Sequence, residues 1–465
     1  MKFLRTIFQP QAPAEVRRVF MHLYGDIAWF GILSGSTLSF LSIYATRLGA
    51  DAFQIGLLSA GPAVVGLLFT LPAGRWLQSR PVGGAVFWSA VLARMGYLCF
   101  AALPLLLSPD YQILTLILLV LLMTIPGTIL AIGFNALYAS AVAPEWRGHV
   151  VGIRNAMLAL VFVITSLVCG WVLNSLPFVT GYIVIFGLGF VGAAMSTLHL
   201  WFLRHITGET VPGPPQIRGV IGDLARPGDI RILGITLRTT IGLRAFTRGV
   251  NLLRVEVLRG VYGQILATLL LFHIALYLPI PLFPLYWVER LHFTDGDISL
   301  GTAIFHCAVL LGSLRVGRLG ERFGNQRLTV IGGLLLSLYP LLTGFMTNLG
   351  VYLLVSALGG LAWSLVGGAI GNYLLENVPA TDRPAYLAWY NLALNLAILL
   401  GSLAGPLLAE QIGLVAALVV SFIARALGAL AIGLVRQTPL LEASSFNAAP
   451  VNTTHSTKVT LSQQR

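Results

Sequence analysis

The stretch "GRLGERFGNQR", residues 317–327, places three arginines, one glutamate and three glycines within eleven residues of a chain that is otherwise largely apolar. Of the 465 residues, 57% are hydrophobic and 10% are charged, whereas a soluble domain carries about 25% charged residues. One crossing of a bilayer needs roughly 20 apolar residues, and segments of that kind recur between short polar breaks. We therefore predict a helical membrane protein with many spans.

Twelve apolar segments fall into two groups of six, and the charged stretch lies between two segments of the second group. The predicted helices of the first group are near 22–45, 54–73, 84–107, 112–138, 152–176 and 180–203. Those of the second group are near 263–288, 298–316, 328–347, 351–375, 387–408 and 412–435. The sequence thus predicts an all-α protein with twelve transmembrane helices, an N-terminal bundle at 22–203 and a C-terminal bundle at 263–436.

The distribution of basic residues predicts the orientation, because cytoplasmic loops carry an excess of Lys and Arg. With the start of the chain inside, the outer loops hold only Arg47 and Arg290 beside six acidic residues. Both termini are therefore expected to be cytoplasmic. The excess positive charge then indicates contact with anionic lipid headgroups at the cytoplasmic face, and no nucleic-acid partner is needed to explain it.

Three segments outside the bundles are expected on the cytoplasmic side. Residues 1–21 form an N-terminal tail, and residues 437–465, rich in Ser, Thr, Asn and Gln, form a disordered C-terminal tail. Residues 204–262 form an Arg-rich linker between the halves. Its part 230–260 spaces arginines among apolar residues, which fits either an amphipathic helix on the membrane surface or a solvated linker that extends helix 7.

Several other functional classes lack support in the sequence. The chain has no GxxxxGK[ST] phosphate loop, no HExxH and no GxSxG, so we expect neither ATP hydrolysis nor an enzyme of the protease or esterase type. Cys99, Cys169 and Cys307 all lie in apolar segments, which argues against a disulfide framework or a zinc site. We expect no metal and no cofactor.

The opening stretch has a counterpart in the first half. Gly74-Arg75 aligns with Gly317-Arg318 at an offset of 243 residues, and the same offset aligns Arg47 with Arg290. Further along, Arg147 aligns with Arg383 at an offset of 236. Two halves of six helices in the same orientation are the parallel repeats of some secondary transporters.

At these residues the chain resembles the major facilitator superfamily, whose loop between the second and third helices of a half reads roughly G-x-L-x-D-R-x-G-R-R/K. The matching positions in the second half, with Glu in place of Asp, are Gly317, Leu319, Glu321, Arg322 and Gly324. Asn325 stands where an Arg is usual, and Arg327 is the next basic residue. In the first half, "GRWLQSRPVGG" keeps Gly74 but has Gln78 in place of the acid. The resemblance covers nearly the whole chain apart from the two tails.

The resemblance implies a gate on the cytoplasmic side. Glu321 is expected near the start of helix 5, close to Arg147 and Arg154, where it would hold that side closed when the protein opens outward. Alternatively, these charges only fix the topology. The gate candidates are Gly74, Arg75, Arg147, Gly317, Arg318, Glu321, Arg322, Gly324, Arg327 and Arg383.

The resemblance also implies a central cavity lined by helices 1, 4, 7 and 10. The candidates there for solute contact or coupling are Asp26, Trp29, Asn135, Tyr138, His273, Tyr277, Trp363 and Asn372. Asp26 and His273 are candidates for proton handling, because ionisable groups in the membrane are costly; the alternatives are a cap at the inner end of helix 1 and a core histidine. Arg94 and Arg425 are interpreted as structural, with Arg94 reaching toward Asp26, and His306 is left open.

The sequence therefore predicts a monomeric secondary transporter that moves a small organic solute by alternating access, with proton coupling as a hypothesis. Few acids near the cavity favour a neutral, amphipathic or anionic solute over a polycation. Two alternatives stay open: a lysophospholipid flippase of the same fold, and a receptor or scaffold that does not transport.

Overall fold

A computed structural model describes residues 13–206, 255–379 and 383–435. The predicted C-terminal tail and most of the N-terminal tail and of the Arg-rich linker, including nearly all of 230–260, lie outside these residues. Within the described part, twelve helices are long and apolar enough to cross a membrane. All twelve predicted segments are confirmed as helices.

The first half contains six of these helices. They are α1 (Glu15–Arg47), α2 (Ala52–Gln78), α3 (Val82–Leu106), α4 (Pro109–Ala141), α5 (Pro144–Ser175) and α6 (Phe178–Leu203). The second half contains α7 (Val261–Arg290), α8 (Asp295–Phe323), α9 (Asn325–Phe345), α10 (Leu349–Glu376), α11 (Ala385–Ile412) and α12 (Leu414–Leu434). Twelve crossings return the chain to the side where it starts. We call that side, predicted to be cytoplasmic, the inner side, and the opposite one the outer side.

Helix ends depart from the sequence-based bounds on the inner side. Helix α5 begins at Pro144 instead of near residue 152, and α8 continues to Phe323 instead of ending near residue 316. Most of the opening stretch is therefore helix, and the predicted loop is reduced to Gly324. Its φ of 81° is a left-handed conformation that glycine adopts without steric cost. Hydropathy locates the end of the apolar segment, whereas the backbone hydrogen bonds of a helix continue through polar residues.

The repeat is visible in how α2 and α8 begin. Asp51 and Gln54 form a reciprocal capping box at the start of α2, and Thr294 and Asp297 form one at the start of α8. The two caps are separated by 294 − 51 = 243 residues, the offset found in the sequence. Capping satisfies backbone N–H groups at a helix start. The second helix of each half therefore begins with the same kind of cap.

The halves pack on each other mainly through α2 against α11 and α5 against α8, with a smaller contact between the outer ends of α1 and α7. One large apolar cluster near the outer side joins both halves; it includes Tyr44 and Phe186 of the first half and Phe283 and Tyr352 of the second. The inner clusters are separate. One is built entirely from the first half, and the other from the second half apart from Ala63.

Candidate functional site

An ion pair connects the outer ends of the two halves. Arg47, the last residue of α1, lies 3.1 Å from the carboxylate of Asp295, the first residue of α8. The side chains are 24% and 11% exposed, so solvent screens the pair only in part. The guanidinium also donates to the backbone carbonyl of Phe293. Arg47 therefore binds the second half through both a charge and a backbone oxygen.

Further polar contacts surround this pair. The hydroxyl of Tyr182 on α6 donates to Asp295 at 3.2 Å. The amide of Asn174, near the end of α5, donates to the hydroxyl of Thr294 at 3.4 Å and accepts from the backbone N–H of Gly296 at 3.1 Å. Three helices of the first half thus hold the start of α8.

Glycines let the helices approach closely where the halves meet. A Cβ added to Gly170 on α5 would lie 2.0 Å from Oγ of Ser299 and 3.2 Å from Cα of Gly296, both on α8. On the other seam, a Cβ on Gly56 of α2 would lie 2.6 Å from the carbonyl oxygen of Ser402 on α11. Larger side chains at either position would separate the outer ends.

Hydrogen bonds join the inner ends of α4 and α5 in the first half. Arg147, in the first turn of α5, donates to the carbonyl oxygens of Ala139 and Val142 at 2.7 and 2.9 Å. Tyr138, near the end of α4, donates to the carbonyl oxygen of Arg147 at 2.8 Å. These bonds join α4 to α5 and do not reach the second half.

The opening stretch likewise binds its own half. The amide of Asn325 donates to the carboxylate of Glu376 at the end of α10. The amide of Gln326 donates to the carbonyl oxygens of Ile432 and Val435, at the end of α12, at 2.9 and 2.8 Å. The oxygen of Ile432 also accepts from the backbone N–H of Val435 at 3.4 Å. The start of α9 therefore fastens the inner ends of two neighbouring helices, a role that the sequence did not suggest.

The charged residues of the same stretch face outward into solvent. Arg318, Glu321, Arg322 and Arg327 are exposed, and no ion pair among the described side chains includes them. The side chain of Arg383 lies outside the described residues. The contact of Glu321 with the start of α5, expected when the protein opens outward, stays a prediction.

A buried charged cluster lies inside the first half. Asp26 on α1 is 4% exposed; its carboxylate accepts a hydrogen bond from Ser196 on α6 at 2.6 Å and one from Arg154 on α5 at 3.3 Å. Arg94 on α3 approaches the same carboxylate to 3.9 Å and donates to the hydroxyl of Thr197 at 3.0 Å. The approach of Arg94 to Asp26 agrees with the sequence-based interpretation. Charges buried in this way are stable only when paired.

Arg154 is the member of this cluster that sequence reasoning placed elsewhere. It was expected beside Glu321, but its guanidinium donates to Asp26 and, at 2.7 Å, to the carbonyl oxygen of Leu23. The same group lies 4.8 Å from the ring centre of Phe134 on α4. Arg154 thus connects α1, α4 and α5 inside one half. Its position at the inner end of the predicted segment 152–176 gave no signal for this contact.

The second half buries an arginine that forms no ion pair among the described side chains. Arg425 on α12 is 2% exposed and donates to the carbonyl oxygens of Leu336 on α9, at 3.0 Å, and of Leu276 on α7, at 2.9 Å. In a regular helix the oxygen of Leu336 would accept from residue 340, which is Pro340 and has no N–H. Arg425 therefore supplies the donor that the proline removes.

The second acceptor of Arg425 has a related origin. Leu276 would normally accept from Ile280, but the N–H of Ile280 bonds to Tyr277 instead, at 3.3 Å, where Pro279 interrupts α7. Arg425 thus ties two helices together at proline breaks. This geometry agrees with the interpretation of Arg425 as structural. Pro340 and Pro279 follow the two acceptor residues by four and three positions, and they are the sequence signal that could have located the partners of Arg425.

Comparisons with known proteins give the family. The Major Facilitator Superfamily model matches residues 27–294 and again residues 265–462. The chain belongs to this superfamily. It is therefore a multi-pass membrane protein of a transporter family and not an enzyme.

Individual relatives of this superfamily member are distant. "Multidrug resistance protein 2" of Bacillus subtilis (strain 168) is 24% identical over 130 residues, which is 28% of this chain and 32% of that protein. The match thus spans about a third of the length of the curated relative.

Three solved structures share the fold. The nucleoside transporter NupG has a TM-score of 0.59 at 14% identity, covering 89% of this chain and 98% of that one. A bacterial homologue of the iron transporter ferroportin in its inward-facing state has a TM-score of 0.66 at 15% identity, covering 91% and 98%. For such a homologue in an outward-facing state with soaked iron, the TM-score is 0.52 at 15% identity, covering 90% and 98%.

The eight candidates for solute contact in this superfamily member divide into two groups by burial. Asp26 and His273 are buried at 4% and 3% exposure. The other six are half-buried and lie on α1, α4, α7 and α10: Trp29, Asn135, Tyr138, Tyr277, Trp363 and Asn372. Asp26 and His273 are in different halves and do not meet.

Two histidines lie at helix contacts. The Nδ1 of His273 is 2.7 Å from the carbonyl oxygen of Leu269, one turn earlier, and its ring centre is 6.0 Å from that of Tyr390 on α11. His306 on α8 lies 4.2 Å, ring centre to ring centre, from Phe162 on α5. His306 therefore occupies the seam between the halves, which the sequence did not reveal.

Proposed function

We propose that this protein moves a small organic solute across the membrane by alternating access, and that the conformation described above is closed on the outer side and faces the cytoplasm. The single observation that carries the proposal is the position of the polar contacts between the halves. The ion pair between Arg47 and Asp295 lies at the outer ends of the helices. At the inner ends, the charged residues of 317–327 are exposed and take part in no ion pair among the described side chains.

Two further observations support the assignment of the inward-facing state. The apolar cluster near the outer side is shared by both halves, whereas the inner clusters are almost entirely separate. The TM-score is also higher against the inward-facing ferroportin homologue, 0.66, than against the outward-facing one, 0.52. Rocking of two rigid halves about a central site is the motion that parallel repeats permit.

In the outward-facing state the inner ends of the halves would meet instead. Glu321 and the arginines of residues 317–327 are exposed and available in the inward-facing state, and Arg147 presents a guanidinium at the start of α5. We propose that Glu321 then docks near Arg147, with the flanking gate residues of both halves. Since Arg154 is bound to Asp26, it takes no part in this contact.

The half-buried candidates on α1, α4, α7 and α10 are the proposed contacts of the solute. Asp26 has a different proposed role, because it binds Ser196 and Arg154 within the first half. We assign it to the integrity of that half. His273, which lies close to the break in α7, is then the proposed group for proton handling, and its ring faces Tyr390 across a helix contact.

The function is tested in proteoliposomes with radiolabelled solutes and an imposed pH gradient. The panel contains uridine and xylose, as a nucleoside and a sugar, together with a cationic dye and a lysophospholipid. Saturable uptake of a water-soluble solute, lost in Gly170→Val, is the expected result. Transfer of the lysophospholipid alone would favour the flippase, and no transport of any probe would favour a scaffold and contradict the proposal.

The coupling assignment has its own control within the same assay. His273→Asn is expected to remove the dependence of uptake on the pH gradient while leaving some uptake in its absence. Asp26→Asn is expected to lower the amount of folded protein, with the pH dependence of the remaining uptake unchanged. If Asp26→Asn removed the pH dependence and His273→Asn did not, Asp26 would be the group that handles the proton.

A further inference from the structure

Two histidine side chains meet between α1 and α6, near the inner end of the first half. The Nδ1 atoms of His22 and His199 lie 3.2 Å apart. Their ring centres are 5.4 Å apart, which is farther than the two nitrogens, so the Nδ1 atoms face each other and the rest of each ring points away. The two residues are 177 positions apart in the chain, and sequence reasoning did not connect them.

The pair lies close to the inner side of the membrane. His22 is 22 − 15 = 7 residues from the start of α1, and His199 is 203 − 199 = 4 residues from the end of α6. These separations correspond to about 10 and 6 Å at 1.5 Å per residue. Both side chains are half-buried, so part of each imidazole is accessible from outside the bundle at this depth.

Neighbouring groups hold both rings in place. The ring of His22 stacks on that of Phe202 on α6, with 4.5 Å between ring centres and an angle of 18° between the ring planes. The ring of His199 lies against α1 at Gly25, where an added Cβ would collide with the imidazole. Any residue larger than glycine at this position would displace the ring. The packing of the two helices therefore positions both nitrogens before any ligand binds.

Without a further ligand, the two imidazoles form a hydrogen bond. One Nδ1 carries a proton and donates it, and the other Nδ1 accepts it with its lone pair. The second tautomer of the donating ring carries its proton on Nε2 instead. In that tautomer, both Nδ1 lone pairs are directed at the gap between the rings, and the pair presents two nitrogen ligands.

The spacing of these nitrogens matches two ligands of one metal ion. Zn–N bonds to histidine are about 2.0 Å long and the coordination is tetrahedral, which places two ligand nitrogens about 3.3 Å apart. The observed distance of 3.2 Å agrees with this value. Neutral imidazole is a ligand that suits Zn, Cu, Fe and Ni, whereas Mg and Ca prefer oxygen.

The charges around the pair are compatible with a bound cation. Arg18 and Asp26 lie one helical turn before and after His22; Arg18 acts on His22, and Asp26 acts on His199. Arg18 is exposed, so solvent screens its charge. Among the described residues, no group of three or more His, Cys, Asp or Glu side chains is placed to hold a metal. Water therefore completes the coordination at a site with two protein ligands.

From this geometry we infer that His22 and His199 form a binding site for a first-row transition-metal ion such as Zn²⁺, with both Nδ1 atoms as ligands. The ion joins α1 to α6 and braces the first half. This site departs from the sequence-based expectation of no metal. The inference does not depend on the proposed transport function, because it concerns contacts within one half and no transported solute.

The test measures thermal unfolding of the purified full-length protein, freed of any affinity tag and treated with a chelator, in the presence of Zn²⁺ or Mg²⁺. A ligand that binds the folded state raises its apparent stability. Zn²⁺ is expected to raise the midpoint of unfolding, and Mg²⁺, which prefers oxygen ligands, is expected to leave it unchanged. A midpoint that rises with neither ion, or equally with both, would overturn the inference.

Single variants locate the zinc. His22→Asn and His199→Asn each remove one ligand and keep a polar side chain. Loss of a group that only supports a ligand costs about 10- to 100-fold in metal affinity, so loss of a ligand should lower the apparent zinc affinity at least about tenfold. His205→Asn, at an exposed histidine just beyond the end of α6, is the matched control and should bind as wild type. Equal affinity in all four proteins would place the zinc elsewhere and overturn the inference.

A second measurement does not depend on stability. Cu²⁺ binds nitrogen sites more tightly than Zn²⁺, and its electron paramagnetic resonance spectrum reports how many imidazole nitrogens coordinate it. Two nitrogens are expected for copper bound to the wild type, and one in either single variant. Fewer than two in the wild type would show that the pair is a hydrogen bond only, which would contradict the inference.

Discussion

The outer and inner ends of the interface between the halves are built from the same kinds of residue but are connected differently. At the outer end, Arg47 of the first half binds Asp295 of the second. At the inner end, Arg147 binds carbonyl oxygens of its own half and Glu321 is exposed. The outer pair joins the two halves in this conformation. We propose that the exposed charges of residues 317–327 join them in the alternative conformation.

The internal repeat provides a direct comparison for the outer ion pair. Arg47 and Arg290 occupy equivalent positions, at the outer ends of α1 and α7. Only Arg47 takes part in an ion pair between the described residues of the two halves. Arg290 is therefore a matched control for Arg47, since it shares its residue type, its helix position and its side of the membrane.

The largest expected effect on stability comes from disrupting the buried charged cluster of the first half. This change tests whether that half is a rigid body. Asp26→Ala leaves the buried guanidinium groups of Arg94 and Arg154 without their carboxylate, and loss of one partner of a buried pair costs about 3–5 kcal/mol. We expect a strongly lowered thermal midpoint in detergent. Distances between the halves should not shift in the protein that remains folded.

Ser196→Ala is the matched control for Asp26→Ala, because it removes one hydrogen bond to Asp26 and no charge. Its expected cost is about 1.5–3 kcal/mol, because the bond is made to a charged carboxylate. A loss of stability as large as that of Asp26→Ala would contradict the view that the charges dominate the cluster.

The next effect concerns close packing at the outer end. Gly170→Val places methyl groups where Ser299 and Gly296 now lie, so the outer ends of α5 and α8 must separate. We expect uptake to fall at least tenfold and the outer ends to become accessible to a membrane-impermeant thiol reagent at a cysteine placed nearby. Gly187→Ala, where an added Cβ has no atom within 4 Å, should behave as wild type.

A smaller shift is expected from the outer ion pair itself. Asp295→Asn removes the charge partner of Arg47 and weakens the hydrogen bond from Tyr182, and hydrogen bonds to charged groups contribute about 1.5–3 kcal/mol. The population open on the outer side should rise by about ten- to a hundredfold, measured by spin-label distances across the outer ends. Arg47→Gln should have a similar effect. An equal shift in Arg290→Gln would show that general outer charge, and not this pair, holds the halves.

The smallest effect in the inward-facing state is expected at the inner end. Glu321→Gln removes a charge that is exposed and not part of an ion pair among the described residues, so stability in this conformation should change by less than about 0.5 kcal/mol. Uptake should nevertheless slow, because the outward-facing state loses its proposed inner contact. A variant with unchanged uptake would restrict this residue to a role in topology.

The sequence predicted the fold well and the side-chain connections poorly, and particular residues show why. Apolar segments located all twelve helices, and the offset of 243 residues reappears in the caps formed by Asp51 and Thr294. Helix ends were misplaced because the opening stretch continues as helix to Phe323 although its residues are polar. Hydropathy reports the apolar part of a helix and does not report where its backbone hydrogen bonds end.

Partners across the bundle were predicted in only one case. The approach of Arg94 to Asp26 follows from two opposite charges in apolar segments, where ionisable groups are costly and pair with one another. The partners of Arg425 are backbone oxygens, which have no signature in the side-chain sequence beyond the nearby prolines. The pairing of Arg47 with Asp295 depends on how the two halves are oriented, and a periodic pattern within one helix carries no information about that.

The most direct test of alternating access measures two distances in the same molecules. In a background without Cys99, Cys169 and Cys307, one spin-label pair joins the outer ends at Leu176 and His292, and a second joins the inner ends at Ser140 and Phe323, which is exposed and not a gate candidate. Compared with the parent, Asp295→Asn is expected to lengthen the outer distance and to shorten the inner one. If both distances stayed the same, or both changed in the same direction, the two halves would not alternate and the account would be wrong.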